Sequence, residues 1–398
     1  MPPDRGAMTE NATTTTVREL MAEFAGLTGL DPPCSPPRRY LWTDAYAVCN
    51  YLELFRRTND GAFRDLALAL VSQVHHTLGR HRDDDQRAGW ISGLPEGEGE
   101  AHPTRGGLRI GKPLPERGPG EPFDEQLEWD RDGQYYHYLT KWMHALNRVR
   151  RVTGDPAYTR WAAELAKTAH AAFTYVPASG GGKRMYWKMS IDLSRPLVPA
   201  MGQHDPLDGF VTYSELQMAG GSGCGGSLQS DLSPEIVDMA GICREGGLAT
   251  DDPLGIGGLL FDAGRVVEMM IRGGFAYIDL LASVLDAART GLAAFVGSGA
   301  LEYPAAYRLA FREFGLSIGL SGVDALVKRI RENPDLFGRQ SPVQRRAGAL
   351  VEYVPLAGRI ERFWMDAGNR QTGTWTGNRE INTVMLATSL APGEFLAI

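Results

Sequence analysis

Thr58-Asn59-Asp60-Gly61-Ala62-Phe63 and Thr153-Gly154-Asp155-Pro156-Ala157-Tyr158 decide the fold, because they match at equal offsets in threonine, aspartate, alanine and an aromatic. An amphipathic run precedes each: Leu41, Ala45, Val48, Leu52 and Phe55 recur at three- and four-residue steps before the first, and residues 133 to 152 form the second. A further helical run follows each, from Ala62 to Leu78 and from Ala157 to Tyr175. The turn chemistry explains the match. Asn or Gly takes the left-handed residue that ends one helix, Asp caps the next, and Pro fits its first turn. The repeated unit is therefore an antiparallel helical hairpin. A weaker copy, Glu332-Asn333-Pro334-Asp335-Leu336, follows another helix.

Further helices are read near Leu232 to Arg244, Phe261 to Arg272, Phe275 to Phe295, Tyr303 to Ile318, Val323 to Arg331 and Asn378 to Leu390; nothing reads as a parallel sheet. One hairpin cannot bury its own apolar face, so neighbours must stack, as an open solenoid or a closed ring. Two long interruptions favour the ring. Arg80 to Asp132 and Val176 to Phe210 are rich in Gly, Pro, charge and aromatics, and connections this long are usually functional or disordered. Lying between one hairpin and the next, both emerge on the same side and can roof a central cavity. The expected fold class is all-α, a toroid of helical hairpins with long loops over one face. Residues 1–39 are an N-terminal extension with one short helix, and residues 40–398 a single toroid domain.

Composition excludes several functions. With 43% hydrophobic and 22% charged residues the chain is globular, not disordered. Lys and Arg number 41 against 48 Asp and Glu, a formal charge of -7, so no basic field exists to draw nucleic acid. The four cysteines lack zinc spacing or a disulfide pattern. His75, His76 and His81 beside Asp83, Asp84 and Asp85 do not make a metal site, since adjacent helical histidines face different ways. Gly220 to Gly226 lacks the Lys-Ser/Thr ending of a phosphate loop and reads as a flexible loop or lid. No cofactor or metal is expected. Met1 to Thr16 lacks the apolar core of a signal peptide, and no uninterrupted apolar run reaches the roughly 18–20 residues needed to span a bilayer. A cytoplasmic enzyme away from membranes is expected, and a homo-oligomer is compatible with the composition.

Chemistry concentrates in four clusters. Trp42-Thr43-Asp44 opens a helix, where Asp44 is either a cap or a ligand. Glu128 to Trp142 holds Asp130, Asp132, Gln134, Tyr136, His137 and Lys141, partly on one polar helical stripe. His204-Asp205-Pro206-Leu207-Asp208 places an imidazole beside two acids. Arg370 and Trp375 belong to a dense polar and aromatic stretch before the last helix. Sugars need such walls, with flat rings against their C–H faces and carboxylates, amides and Arg on their hydroxyls. Cleaving a glycosidic bond needs two carboxyls, one protonated and one ionised. The expected assignment is Asp130 and Asp208 as the acid/base pair, with His204 and Asp205 tuning them or handling protons. Trp42, Asp44, Asp132, Gln134, Tyr136, His137, Trp187, Arg370 and Trp375 are the expected substrate-binding residues.

On Trp42-Thr43-Asp44, the Asp130 to Trp142 stretch and the Asn378 to Leu390 helix, the chain resembles the six-hairpin glycosidase superfamily over roughly Tyr40 to Leu390. The resemblance implies an (α/α)6 toroid. That superfamily includes unsaturated glucuronyl hydrolases, and a related barrel carries the N-acylglucosamine and cellobiose 2-epimerases. The 2-epimerases use histidines on late helices as acid and base, whereas none of the eight histidines here lies beyond His204. A glycoside hydrolase acting on an oligosaccharide or glycoconjugate is therefore expected. A sugar epimerase or isomerase, a polysaccharide lyase and a non-catalytic glycan-binding protein are the alternatives.

Overall fold

The computed structural model describes residues 10–221, 231–273 and 277–397. The Gly-rich residues 222–226 and Phe275 lie outside the described residues. Helix α1 is Glu10–Thr28, and the first hairpin is α2, Leu41–Thr58, with α3, Gly61–Leu78. The turn between them follows the expected chemistry. Asn59 is left-handed at φ 54° with its N–H on the Phe55 carbonyl, and Asp60 accepts from the Ala62 N–H at 3.0 Å. In the second hairpin, α4, Tyr136–Thr153, and α5, Ala157–Phe173, are joined in the same way. Gly154 has φ 78°, and Asp155 accepts from the Ala157 N–H at 2.9 Å.

The chain continues through α6, Asp205–Gly221, α7, Ser233–Glu245, α8, Pro253–Ile271, α9, Ile278–Gly297, α10, Ala310–Ser321, and α11, Val323–Glu332. It ends with α12, Pro342–Ala349, α13, Pro355–Met365, α14, Arg379–Leu390, and α15, Gly393–Leu396. Six of these close an inner ring: α2 packs on α4, α4 on α6, α6 on α8, α8 on α10, α10 on α14, and α14 back on α2. The outer layer is α3 on α2, α5 on α4, α7 on α6, α9 on α8, α11 against α8 and α10, and α13 against α10 and α14. Helix α1 covers α14 and α2. The architecture is an α/α toroid with six inner helices.

Burial follows position in the ring. An inner helix touches neighbours all round, and α2 is buried at every residue from Leu41 to Leu54. An outer helix buries one stripe: in α5 this is Ala162, Ala163, Leu165, Ala166, Ala169 and Phe173. The tightest inner contact is made without side chains. A Cβ on Gly257 of α8 would meet the Gly315 carbonyl oxygen of α10 at 2.0 Å, and one on Gly319 would meet the Gly257 carbonyl oxygen at 2.5 Å.

Several boundaries differ from the sequence reading. Helix α6 starts at Asp205, inside the stretch expected as loop, and α8 starts at Pro253 instead of near Phe261. Both starts pair an aspartate with a proline, Asp205-Pro206 in the first turn of α6 and Asp252-Pro253 with Asp252 capping α8, a combination the apolar spacing alone does not reveal. Residues Ala300–Glu302 and Ala305–Tyr307 are separate 3-10 turns, so α10 begins only at Ala310, and α13 was not expected at all. Within residues 1–39, α1 runs for 19 residues and buries Val17, Leu20, Met21 and Phe24 in the common core. The long loops hold short helices, Glu96–Ala101 and Glu125–Asp130, and small antiparallel ladders. Strand β1, Gln134–Tyr135, pairs with β4, Lys188–Met189, which pairs with β5, Pro196–Val198; β2, Thr174–Tyr175, pairs with β3, Arg184–Met185.

Candidate active site

Because the inner helices all run the same way, their first turns surround one mouth. The cavity there has a volume of about 1320 Å³, and each inner helix lines it: Trp42 from α2, His137 from α4, Asp205 from α6, Leu254 from α8, Phe311 from α10 and Ile381 from α14. The long loops add Trp129 and Trp187 on one side. The floor is aromatic. Phe395 of α15 stacks on Tyr46 at 4.5 Å and on Phe261 at 4.7 Å between ring centres, and all three rings line the cavity.

Two aspartates one turn apart on α6 have opposite electrostatics. Asp208 Oδ2 accepts from Thr140 Oγ1 at 2.6 Å and from Lys141 Nζ at 2.7 Å, while its Oδ1 lies 3.6 Å from the Arg265 guanidinium. Burial opposes ionisation, but Lys141, His204 and Arg265 outweigh it and hold the Asp208 carboxyl well below the usual carboxylate range. Asp205 has no such partner. Its Oδ2 is buried and makes no hydrogen bond, and its Oδ1 lies 3.7 Å from His137 Nδ1. Burial, reinforced by the charge of Asp208, pushes the Asp205 carboxyl up to about 7.

Two imidazoles flank the pair. His204 Nε2 is 2.9 Å from Asp262 Oδ2, and Asp262 Oδ1 accepts from Arg265 at 3.1 Å. A Cβ on Gly258 would stand 2.7 Å from the His204 ring, so glycine leaves the room this imidazole occupies. Burial depresses the His204 pKa, but the Asp262 carboxylate outweighs it and the net shift is upward. His137 has no comparable support, and burial pushes it down to about 3. Deeper in the ring, Arg265 also binds Glu215 at 2.8 Å, and Glu215 accepts from Asn147 and Arg148. Each buried charge below the cavity thus has a counter-charge.

The expected site residues divide sharply. Trp42, His137, Trp187, His204, Asp205 and Asp208 are brought together in the cavity lining. Asp130, expected as half of the acid/base pair, is exposed at the end of the short helix Glu125–Asp130 and is not part of that lining. Asp44 faces the backbone, accepting from the Tyr40 N–H at 2.9 Å and pairing with Arg39 at 3.4 Å. Asp132 anchors the first long loop through Arg109 at 2.9 Å, Arg82 at 3.3 Å and the Gly111 N–H at 2.9 Å. Gln134 pins two loop segments, accepting from the Leu108 N–H and donating to the Gly106 and Ile191 carbonyls. Tyr136 is buried and donates to Tyr213 at 2.9 Å. Trp375 packs on Trp364 and Phe314 in the core, with the Arg370 guanidinium over its ring at 5.9 Å. Substrate-binding roles for Asp44, Asp132, Gln134, Tyr136, Arg370 and Trp375 therefore do not fit their positions.

The sequence reading missed Asp262, Arg265 and Phe395, and assigned Lys141 no role. The signal for the first two was present: a charged pair three residues apart inside an apolar helix is costly unless each charge is answered. The signal for Lys141 was its place one turn after His137 on the polar stripe. Nothing in its own neighbourhood marks Phe395. Among the described residues no group of three or more His, Cys, Asp or Glu is placed to hold a metal ion.

No family model matches the sequence, and neither does any curated protein. Among solved structures, the chain is similar to a GH76 alpha-mannanase of Bacteroides thetaiotaomicron, with a TM-score of 0.51 at 10% identity over 96% of this chain and 97% of that one. It is also similar to the GH76A alpha-1,6-mannanase of Salegentibacter sp. HEL1_6, with a TM-score of 0.47 at 12% identity over 97% of this chain and 100% of that one. The first likeness is one of fold, an α/α toroid along nearly the whole chain.

Proposed function

We infer that this protein is a glycoside hydrolase acting on an oligosaccharide, with Asp205 as general acid and Asp208 as the ionised partner carboxylate. The observation that carries the reading is the pair itself. Two aspartates on one helical turn, inside a cavity walled by aromatic rings, are driven to opposite protonation states, the arrangement acid/base glycoside cleavage requires. Asp205 donates its proton to the leaving oxygen as the glycosidic C–O bond breaks. Asp208 attracts the positive charge that develops on the ring and takes up the proton of the incoming water. His204, fixed by Asp262, supplies a nearby group through which Asp205 can be reprotonated. This differs from the sequence assignment by replacing Asp130 with Asp205.

The fold likeness to a protein described as an alpha-mannanase makes alpha-manno-oligosaccharides the first members of a substrate panel. Release of reducing ends is the measurement. Asp205→Asn and Asp208→Asn should each lower turnover by about 10²–10⁴-fold while circular dichroism stays native. Unchanged turnover in both variants would reject the assignment.

A further inference from the structure

Trp129 is 45% exposed, unusual for so large a ring, yet it is not on a loose loop. It sits on the short helix Glu125–Asp130, which Asp124 caps by accepting from the Leu127 N–H at 2.8 Å. The neighbouring Glu128 is buried and holds Arg117 at 3.0 Å and Lys188 at 2.9 Å. Lys188 also donates to the backbone carbonyls of Glu128 at 2.7 Å and Arg131 at 2.8 Å. These contacts bolt the short helix to β4, whose preceding residue is Trp187. The two indoles meet edge to face at 5.1 Å.

From there the rings continue inward. Trp187 stacks on His137 at 6.3 Å with only 19° between planes, His137 meets Trp42 at 5.8 Å, and His137 Nδ1 is 3.7 Å from Asp205. All of these residues line the same cavity. A chain of ring contacts therefore runs along the cavity wall from the acid on α6 to an exposed indole at the rim, with 5.1 Å and 6.3 Å between successive ring centres from Trp129 through Trp187 to His137. Trp129 stands two ring contacts out from His137, the ring beside Asp205. A rigidly held, solvent-exposed ring at the far end is pre-organised for a ligand that extends along the strip.

We propose that Trp129 and Trp187 form a rim subsite for sugar units beyond the reacting one, so that the preferred substrate is an oligosaccharide longer than a disaccharide. This rests on the hydrolase reading for the identity of the ligand. It makes a separate demand: the gain from chain length must pass through Trp129.

The experiment compares wild type, Trp129→Ala and Trp129→Phe on a series of oligosaccharides of one linkage and increasing length. Both kcat/KM and the dissociation constant are measured, the latter by calorimetry on the Asp205→Asn background. For wild type, kcat/KM should rise with length beyond the disaccharide. Trp129→Ala should remove roughly two- to tenfold of that rise, mainly through KM, with its smallest effect on the disaccharide. Trp129→Phe should restore most of it. An equal loss at every length, or an unchanged length dependence, overturns the rim subsite while the hydrolase reading stands. Length-dependent, Trp129-dependent binding without bond cleavage supports the subsite and overturns the hydrolase reading. No binding at any length overturns both.

Discussion

At the scale of single residues, the site depends on one carboxyl kept protonated next to one kept ionised. Asp205 must carry its proton to act, so kcat should fall as pH rises through about 7, where that proton is lost. Asp208 stays ionised well into acid and does not limit the same range. The raised Asp205 pKa also bears on stability. The native state holds this proton more tightly than the unfolded chain, so its stabilising effect is complete below the ordinary value of 3.8 and is lost as pH rises towards 7. Asn at this position carries no charge to desolvate. Asp205→Asn should therefore be more stable than wild type, with a Tm difference that opens between pH 4 and pH 7 and reaches roughly 2 °C or more above it. A Tm difference independent of pH would show that Asp205 is not the group displaced by burial and by Asp208.

At the scale of elements, the hairpins were legible because their turns have local chemistry: Asn59 or Gly154, then Asp60 or Asp155, suffices to stop one helix and start another. The start of α6 was not, since Asp205 and Asp208 look the same whether they end a loop or open a helix. The site was legible only in part, for a related reason. Asp44, Asp132 and Gln134 have the composition of a sugar-binding wall, but they serve backbone groups of the helix start and of loops buried against the ring, and such groups must find partners. Trp375 lies in a polar stretch, and spacing does not disclose that its ring turns towards Trp364 and Phe314. The packing of α8 on α10 supplies a prediction at this scale. Gly257→Ala would drive a methyl group into the Gly315 carbonyl and should lower stability by at least about 1–3 kcal/mol, measured by denaturant titration. The same change at Gly264, whose Cβ would meet nothing within 4 Å, should be neutral or slightly stabilising.

At the scale of the whole molecule, the cavity exists because the ring is closed, and the closing contacts join distant parts of the chain. Helix α1 packs on α14, Asn50 of α2 donates to the Val384 carbonyl of α14 at 3.0 Å, and Tyr51 donates to the Met21 carbonyl of α1 at 3.0 Å. Phe24→Ala, which empties the buried face of α1, should cost about 3–5 kcal/mol. If the ring is one cooperative unit, the loss appears in a single transition seen equally by far-ultraviolet dichroism and by fluorescence of the cavity tryptophans; an early, separate transition would mark α1 as an independent appendage. The pairing of α1 with α14 also carries a consequence for biosynthesis. The first helix leaves the ribosome long before its partner has been translated, and at ordinary elongation rates of about 5–20 residues per second it waits on the order of 20–70 s. Throughout that interval the face of Val17, Leu20, Met21 and Phe24 lacks the cover that α14 provides, which suits the nascent chain to a chaperone that shields such stripes until translation is nearly done.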